Sequence, residues 1–158
     1  MNIIITNSKE ETQKIARDFS SKLAKGGVVA LYGDLGSGKT TFVQGVAKGL
    51  RIKKRIISPT FIIVRTYRIK NYPFGKPRFN RGKLRASESR IKNLYHIDLY
   101  RTETLDDIKG LGLEEIISDP ENIVVIEWAE KMKNLLPEKR IEIKFEYIDE
   151  NKRRILYT

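Results

Sequence analysis

The chain has 158 residues, 40% of them hydrophobic and 32% charged, with no cysteine, a single histidine and a formal net charge of +11. Such a length suits one domain with a sizeable core. The lack of cysteine excludes disulfides and thiolate metal sites and suits a cytoplasmic protein, His96 alone cannot build a multi-histidine metal centre, and no apolar run is long enough to span a bilayer.

The first twelve residues, MNIIITNSKEET, have neither the basic start nor the long apolar stretch of a secretory signal. Residues 2–5 form a short β-prone run. Ser8 and Glu11 have the spacing of a capping box, which predicts a helix start. Ile15, Phe19 and Leu23 then recur at i, i+4 and i+8 on one helical stripe, closed by Gly26 and Gly27. Residues 28–32, VVALY, have the length and β-branching of a buried strand. A glycine-rich loop follows, and then a helix with Phe42, Val46 and Leu50 on one face and Val43 and Ala47 beside them.

Residues 56–67 are β-rich but interrupted by Ser58-Pro59, so a loop is expected before a strand over 61–67. The segment 70–90, with two prolines, two glycines and many charges, reads as a long loop. Residues 94–100, LYHIDLY, alternate: Tyr95, Ile97 and Leu99 share one face, His96 and Asp98 the other. Residues 105–117 read as helical with a break at Gly110–Gly112. Residues 122–128, NIVVIEW, form a buried strand that ends in an acid. Alternating residues 140–148, the turn DENK and the run RRILY complete a hairpin. The charge is uneven. Residues 65–92 hold ten basic side chains against one acid, a local +9, which leaves +2 for the other 130 residues.

Gly33, four residues, Gly38, Lys39 and Thr40 complete the Walker A pattern. Glycines let backbone N–H groups turn inward around an anion, and the helix that begins near Lys39 adds its partial positive charge. Asp34, Leu35, Gly36, Ser37, Gly38, Lys39, Thr40 and Thr41 are the expected nucleotide contacts. Lys39 would reach the β- and γ-phosphates of ATP, and the Thr40 hydroxyl would bind Mg²⁺. Hydrolysis also needs an acid near the metal and the water. Glu127 stands at the carboxyl end of an apolar strand, where ligands bind in open α/β sheets; the plainer reading is a surface glutamate. Asp98 is a second candidate for the metal or its water, against a surface carboxylate paired with Arg101. Thr60, in SPTF, is placed to bond the γ-phosphate or metal as part of a switch, or belongs to a proline turn. Trp128 reads as core, and the role of His96 stays open.

These motifs, in order, resemble the TsaE (YjeE) family of bacterial ATPases: GDLGSGKTTF (33–42), SPTF (58–61), YHIDLYR (95–101), GLEE (112–115), IEWAEK (126–131), LLP (135–137) and a closing hairpin. The likeness covers nearly everything outside 68–92. It implies an α/β fold: a P-loop NTPase of three αβα layers with a mostly parallel central sheet and a C-terminal antiparallel hairpin. The chain itself reads as one domain over 1–158, with a basic inserted loop at about 68–92. The likeness further implies Mg²⁺-dependent ATP hydrolysis in making threonylcarbamoyladenosine on tRNAs that read ANN codons, together with TsaB and TsaD. Lys39 and Thr40 then take the nucleotide and metal, Thr60 a switch, and Asp98 and Glu127 the acidic roles, with Trp128 beside the site. The basic insert departs from the family and is a candidate contact for tRNA, with Tyr72, Phe74 and Phe79 as stacking groups, or a solvated loop. Two other readings use the same loop: a small-molecule kinase with an arginine-rich lid, and a nucleic-acid-binding module with a regulatory nucleotide site. No membrane partner is expected.

Overall fold

The computed structural model describes residues 2–58, 62–70, 73, 78–80, 83–85, 91–104 and 106–158. Among the described residues nine strands and three α-helices follow in chain order: β1 (Asn2–Thr6), α1 (Lys9–Phe19), β2 (Gly27–Tyr32), α2 (Lys39–Gly49), β3 (Val64–Arg68), β4 (Arg78–Asn80), β5 (Lys83–Arg85), β6 (Asn93–Asp98), α3 (Leu113–Ser118), β7 (Asn122–Glu127), β8 (Ile141–Tyr147) and β9 (Arg153–Tyr157). Two 3₁₀ segments, Ser20–Leu23 and Ala129–Leu135, extend α1 and follow β7.

Seven strands form one sheet in the order β1-β9-β8-β2-β7-β6-β3. Its centre, β8-β2-β7-β6, is parallel, while β1 and β9 on one flank and β3 on the other pair antiparallel. The fold is thus mixed α/β, and the expected C-terminal hairpin is β8–β9. Strand β2 lies between β8 and β7, so its carboxyl end opens at a crevice of the kind where ligands bind.

Strand alternation divides the core between the two faces. Val29 and Leu31, with Ile123, Val125, Ile143 and Phe145, face α1 and α2. Val28 and Ala30, with Val124, Ile126 and Ile97, face α3 and the segment after β7. Phe42 packs between Phe19 and Phe145, with ring centroids 5.4 and 5.5 Å apart. Helices α1 and α2 touch closely because Gly45 has no side chain: a Cβ there would lie 2.4 Å from the Gln13 carbonyl oxygen and 2.5 Å from the Ala16 Cβ. Ser8 caps α1 by accepting from the Glu11 N–H, and Glu11 accepts from the Asn7 N–H, so the capping signal is realised one residue wider than the box.

Three expectations are corrected. The helix expected over 105–117 with a break at Gly110–Gly112 is an α-helix only at Leu113–Ser118; the break falls where expected, with Gly110 and Gly112 at left-handed angles (φ 84° and 67°), but turns and not a helix occupy 106–110 before it. Strand β3 starts at Val64 rather than 61, because Ile63 is itself left-handed (φ 58°) and its neighbours bond across it, Val64 N–H to Ile62 C=O at 2.6 Å. Within the segment expected to be a loop, β4 and β5 pair antiparallel with Phe79 opposite Leu84. Thr60, Tyr72 and Phe74 lie outside the described residues. No helix among the described residues is long and apolar enough to cross a membrane.

Candidate active site

The glycine loop joins β2 to α2 and has the backbone that its composition demands. Gly33 (φ 133°) passes so close to β8 that a Cβ would lie 2.4 Å from the Phe145 carbonyl oxygen, and Gly38 (φ 104°) caps α2. Lys39, the first residue of α2, is buried and curls back on its own loop. Its Nζ donates to the carbonyls of Gly33 at 2.6 Å and Asp34 at 2.8 Å, with the buried Ser37 Oγ at 3.4 Å. Burial pushes the Lys39 pKa down, and Glu127, Glu130, Asp98 and Asp34 pull it back up. Leu35 is exposed at the loop tip. The Gly36 carbonyl accepts from Arg153 Nη2 at 3.1 Å, which ties the tip to β9. Thr41 is half-buried in the first turn of α2.

The expected acids converge on this loop. Strands β6 and β7 run parallel with Asp98 opposite Glu127, and Glu127 is opposite Leu31 of β2. Both carboxylates are nearly inaccessible, at 5% and 2%. The Thr40 hydroxyl donates to both Glu127 oxygens, at 2.8 and 2.9 Å. A buried carboxylate is costly unless it is hydrogen-bonded, and Glu127 has a second partner that sequence reasoning left without a role. His96, fully buried, places Nε2 2.7 Å from Glu127 Oε1. Nε2 is thus the ring nitrogen that faces the carboxylate. His96 Nδ1 is buried without a hydrogen-bond partner among the described residues. The available signal was that His96 shares a strand face with Asp98.

Asp98 is the anchor of the SPTF segment. Its carboxylate accepts from the Ser58 hydroxyl and from the Tyr100 N–H at 3.0 Å, and its own N–H donates to the Ile63 carbonyl at 2.9 Å. The chain on either side of Thr60 is therefore tied to Asp98. Trp128 is not plain core. It is half-buried with φ 58°, a region that bulky residues enter at a cost of about 1–3 kcal/mol and mostly at functional sites. Its ring lies 4.2 Å from Lys39 Nζ and 5.2 Å from the Tyr100 ring. Lys131 holds the turn by donating to the carbonyls of Tyr100 and Thr102.

The donors suit Mg²⁺. Thr40, Glu127 and Asp98 offer oxygen only, and no group of three or more His, Cys, Asp or Glu side chains able to hold a metal occurs among the described residues. Mg²⁺ takes one or two protein oxygens and completes its shell with water and substrate phosphates, so the sparse set fits it better than a dedicated cage would.

The family model described as threonylcarbamoyl adenosine biosynthesis protein TsaE matches residues 6–155. The chain is similar to the tRNA threonylcarbamoyladenosine biosynthesis protein TsaE of Rickettsia felis, 36% identical over 152 residues, covering 96% of this chain and 76% of that protein. It is likewise similar to the protein of the same name in Bacillus subtilis, 35% identical over 153 residues, 97% of this chain and 82% of that one. Its structure resembles the crystal structure of Bacillus subtilis YdiB, with a TM-score of 0.65 and 28% identity, over 99% of this chain and 83% of that chain. The glycine loop, the paired strand-end acids and the full-length match lead to one assignment: the chain belongs to the TsaE family.

Proposed function

We propose that this chain binds and hydrolyses ATP with Mg²⁺ to support threonylcarbamoyladenosine formation on tRNA, acting in the cytoplasm with TsaB and TsaD. In this reading the chain is one P-loop ATPase domain of three layers. The observation that carries it is the contact of Thr40, in the Walker A sequence, with the buried Glu127 carboxylate from the neighbouring strand. The printed names of the relatives supply the tRNA modification.

Lys39 exchanges the Gly33 and Asp34 carbonyls for the β- and γ-phosphate oxygens, a closer match for an ammonium. The loop N–H groups and the start of α2 hold the remaining phosphate charge. Thr40, with Asp98 and Glu127 nearby, would hold Mg²⁺, which when bound neutralises charge on the β- and γ-phosphates. Glu127 orients a water in line with the γ-phosphorus. The water oxygen bonds to phosphorus as Glu127 accepts the water proton, the bond to the β–γ bridging oxygen breaks, and ADP and phosphate leave. His96 and Thr40 fix the carboxylate for that task. Thr60 follows the γ-phosphate through the Asp98-anchored segment.

The test is threonylcarbamoyladenosine formation on tRNA with TsaB and TsaD. The native chain should support it with ATP, and Lys39→Ala should not. Phosphate should be released without any added small acceptor. Phosphate transfer to a nucleoside or small acid instead, with no effect on tRNA, would establish the kinase reading.

A further inference from the structure

A second concentration of positive charge lies away from the nucleotide site and outside the basic insert. Between α2 and β3 the sequence runs Arg51, Ile52, Lys53, Lys54, Arg55, four cations in five residues. The fold adds two more. Lys9 opens α1 and Lys48 stands in the last turn of α2, and together with Lys53, Lys54 and Arg55 they line a cleft of about 350 Å³.

The floor of the cleft is polar and fixed. Lys48 Nζ donates to Gln13 Oε1 at 2.6 Å, Gln13 Nε2 to Gln44 Oε1 at 2.8 Å, and Gln44 Nε2 to the Ile56 carbonyl at 3.3 Å. None of the five cleft cations forms an ion pair with a described residue, whereas basic residues elsewhere do, Lys92 with Glu121 and Arg154 with Glu146 among them. Five like charges around one cleft repel, and a lysine at the first position of a helix opposes the helix dipole. Neither arrangement serves the fold, so both point to an anionic partner.

The cations are exposed and spread over two helices and a loop, which suits a chain of phosphates better than a single one. Beside the cleft, the Tyr67 ring is buried, with Lys54 Nζ 6.0 Å from its centroid, so it offers no open face for stacking a base. Such a surface reads backbone and not sequence. We infer that this cleft binds the phosphodiester backbone of RNA, the choice of RNA over other polyanions resting on the proposed role in tRNA modification. The loop leads in three residues from Arg55 to Ser58, the hydroxyl that bonds Asp98, so the RNA contact adjoins the segment that meets the nucleotide.

The full-length chain and a fluorescent tRNA transcript test this by anisotropy across about 50–200 mM salt, the range over which phosphate contacts weaken steeply. The triple variant Lys53→Glu, Lys54→Glu, Arg55→Glu is compared with Lys25→Glu, Lys109→Glu, Lys144→Glu, which changes net charge equally at scattered exposed sites. Both keep the basic insert, and ATP affinity reports that each is folded. The cleft variant should lose at least about tenfold more tRNA affinity than the control at low salt, and its log–log salt slope should shrink by about two to three. Equal losses in the two variants, or none in either, would overturn the inference. Displacement of the tRNA by millimolar inorganic phosphate at constant ionic strength would also overturn it, since the cleft would then hold a small anion. The ATP-driven role is scored separately through Lys39→Ala in the modification assay, so either reading can fail alone.

Discussion

Replacing His96 by leucine removes the partner that sequence reasoning left without a role while keeping the volume of a fully buried side chain nearly constant. What is lost is the 2.7 Å contact to Glu127, leaving that carboxylate with the Thr40 hydroxyl as its one side-chain hydrogen-bond partner among the described residues. A hydrogen bond to a charged group is worth about 1.5–3 kcal/mol. In a chain of this size each kcal/mol moves Tm by about 2–4 °C, so Tm should fall by about 3–12 °C. The effect on turnover separates positioning from mere support. A general base contributes about 10²–10⁴-fold, and a base held by one partner instead of two should retain part of that, so kcat should drop by about ten- to a hundredfold. KM for ATP should stay near the native value, because among the described residues the His96 side chain hydrogen-bonds Glu127 and not the glycine loop. His96→Gln, whose amide nitrogen can reach the place of Nε2, should recover much of the rate. The assays are thermal unfolding and phosphate release, the latter alone and with TsaB and TsaD. Native kcat in His96→Leu, or a loss confined to nucleotide affinity, would refute the positioning role.

Two further outcomes follow from the geometry. Trp128 is the chain's one tryptophan and lies 4.2 Å from Lys39 Nζ, so its emission should change as ATP draws Lys39 onto the phosphates, and should not change in Lys39→Ala; a constant emission at saturating ATP would place Lys39 elsewhere. Gly45→Val forces two helices apart, because even a Cβ would lie 2.4 Å from the Gln13 carbonyl oxygen. Overpacking of about 1–3 kcal/mol should lower Tm in thermal unfolding by several degrees, and an unchanged Tm would mean that α1 and α2 are not in tight contact.

Much of the site is legible along the chain because its causes are local. The glycine loop, the capping Ser8, the apolar strand that delivers Glu127 and the closing hairpin each follow from residues within a few positions of one another. Periodicity also put His96 and Asp98 on one face. It could not say which strand lies beside them, and the His96–Glu127 contact exists only because β6 and β7 are parallel neighbours in register. Arg153 reaches Gly36 for a similar reason: the order β9-β8-β2 carries the end of the chain to the loop. The helical reading reached too far toward the N-terminal side of the glycine break, where 106–110 form turns instead. Overall charge hid the Lys9–Arg55 cleft, because acids elsewhere in the body cancel its cations in the sum.

In the proposed function the site divides its labour, with Lys39 holding the triphosphate and Glu127 positioning the water that cleaves it. ATP affinity and phosphate release, measured together on Lys39→Ala and Glu127→Ala, separate the two roles. Lys39→Ala should lose both, whereas Glu127→Ala should bind ATP about as tightly as the native chain and release at most about a hundredth as much phosphate. Native hydrolysis by Glu127→Ala, or native affinity in Lys39→Ala, would contradict this division.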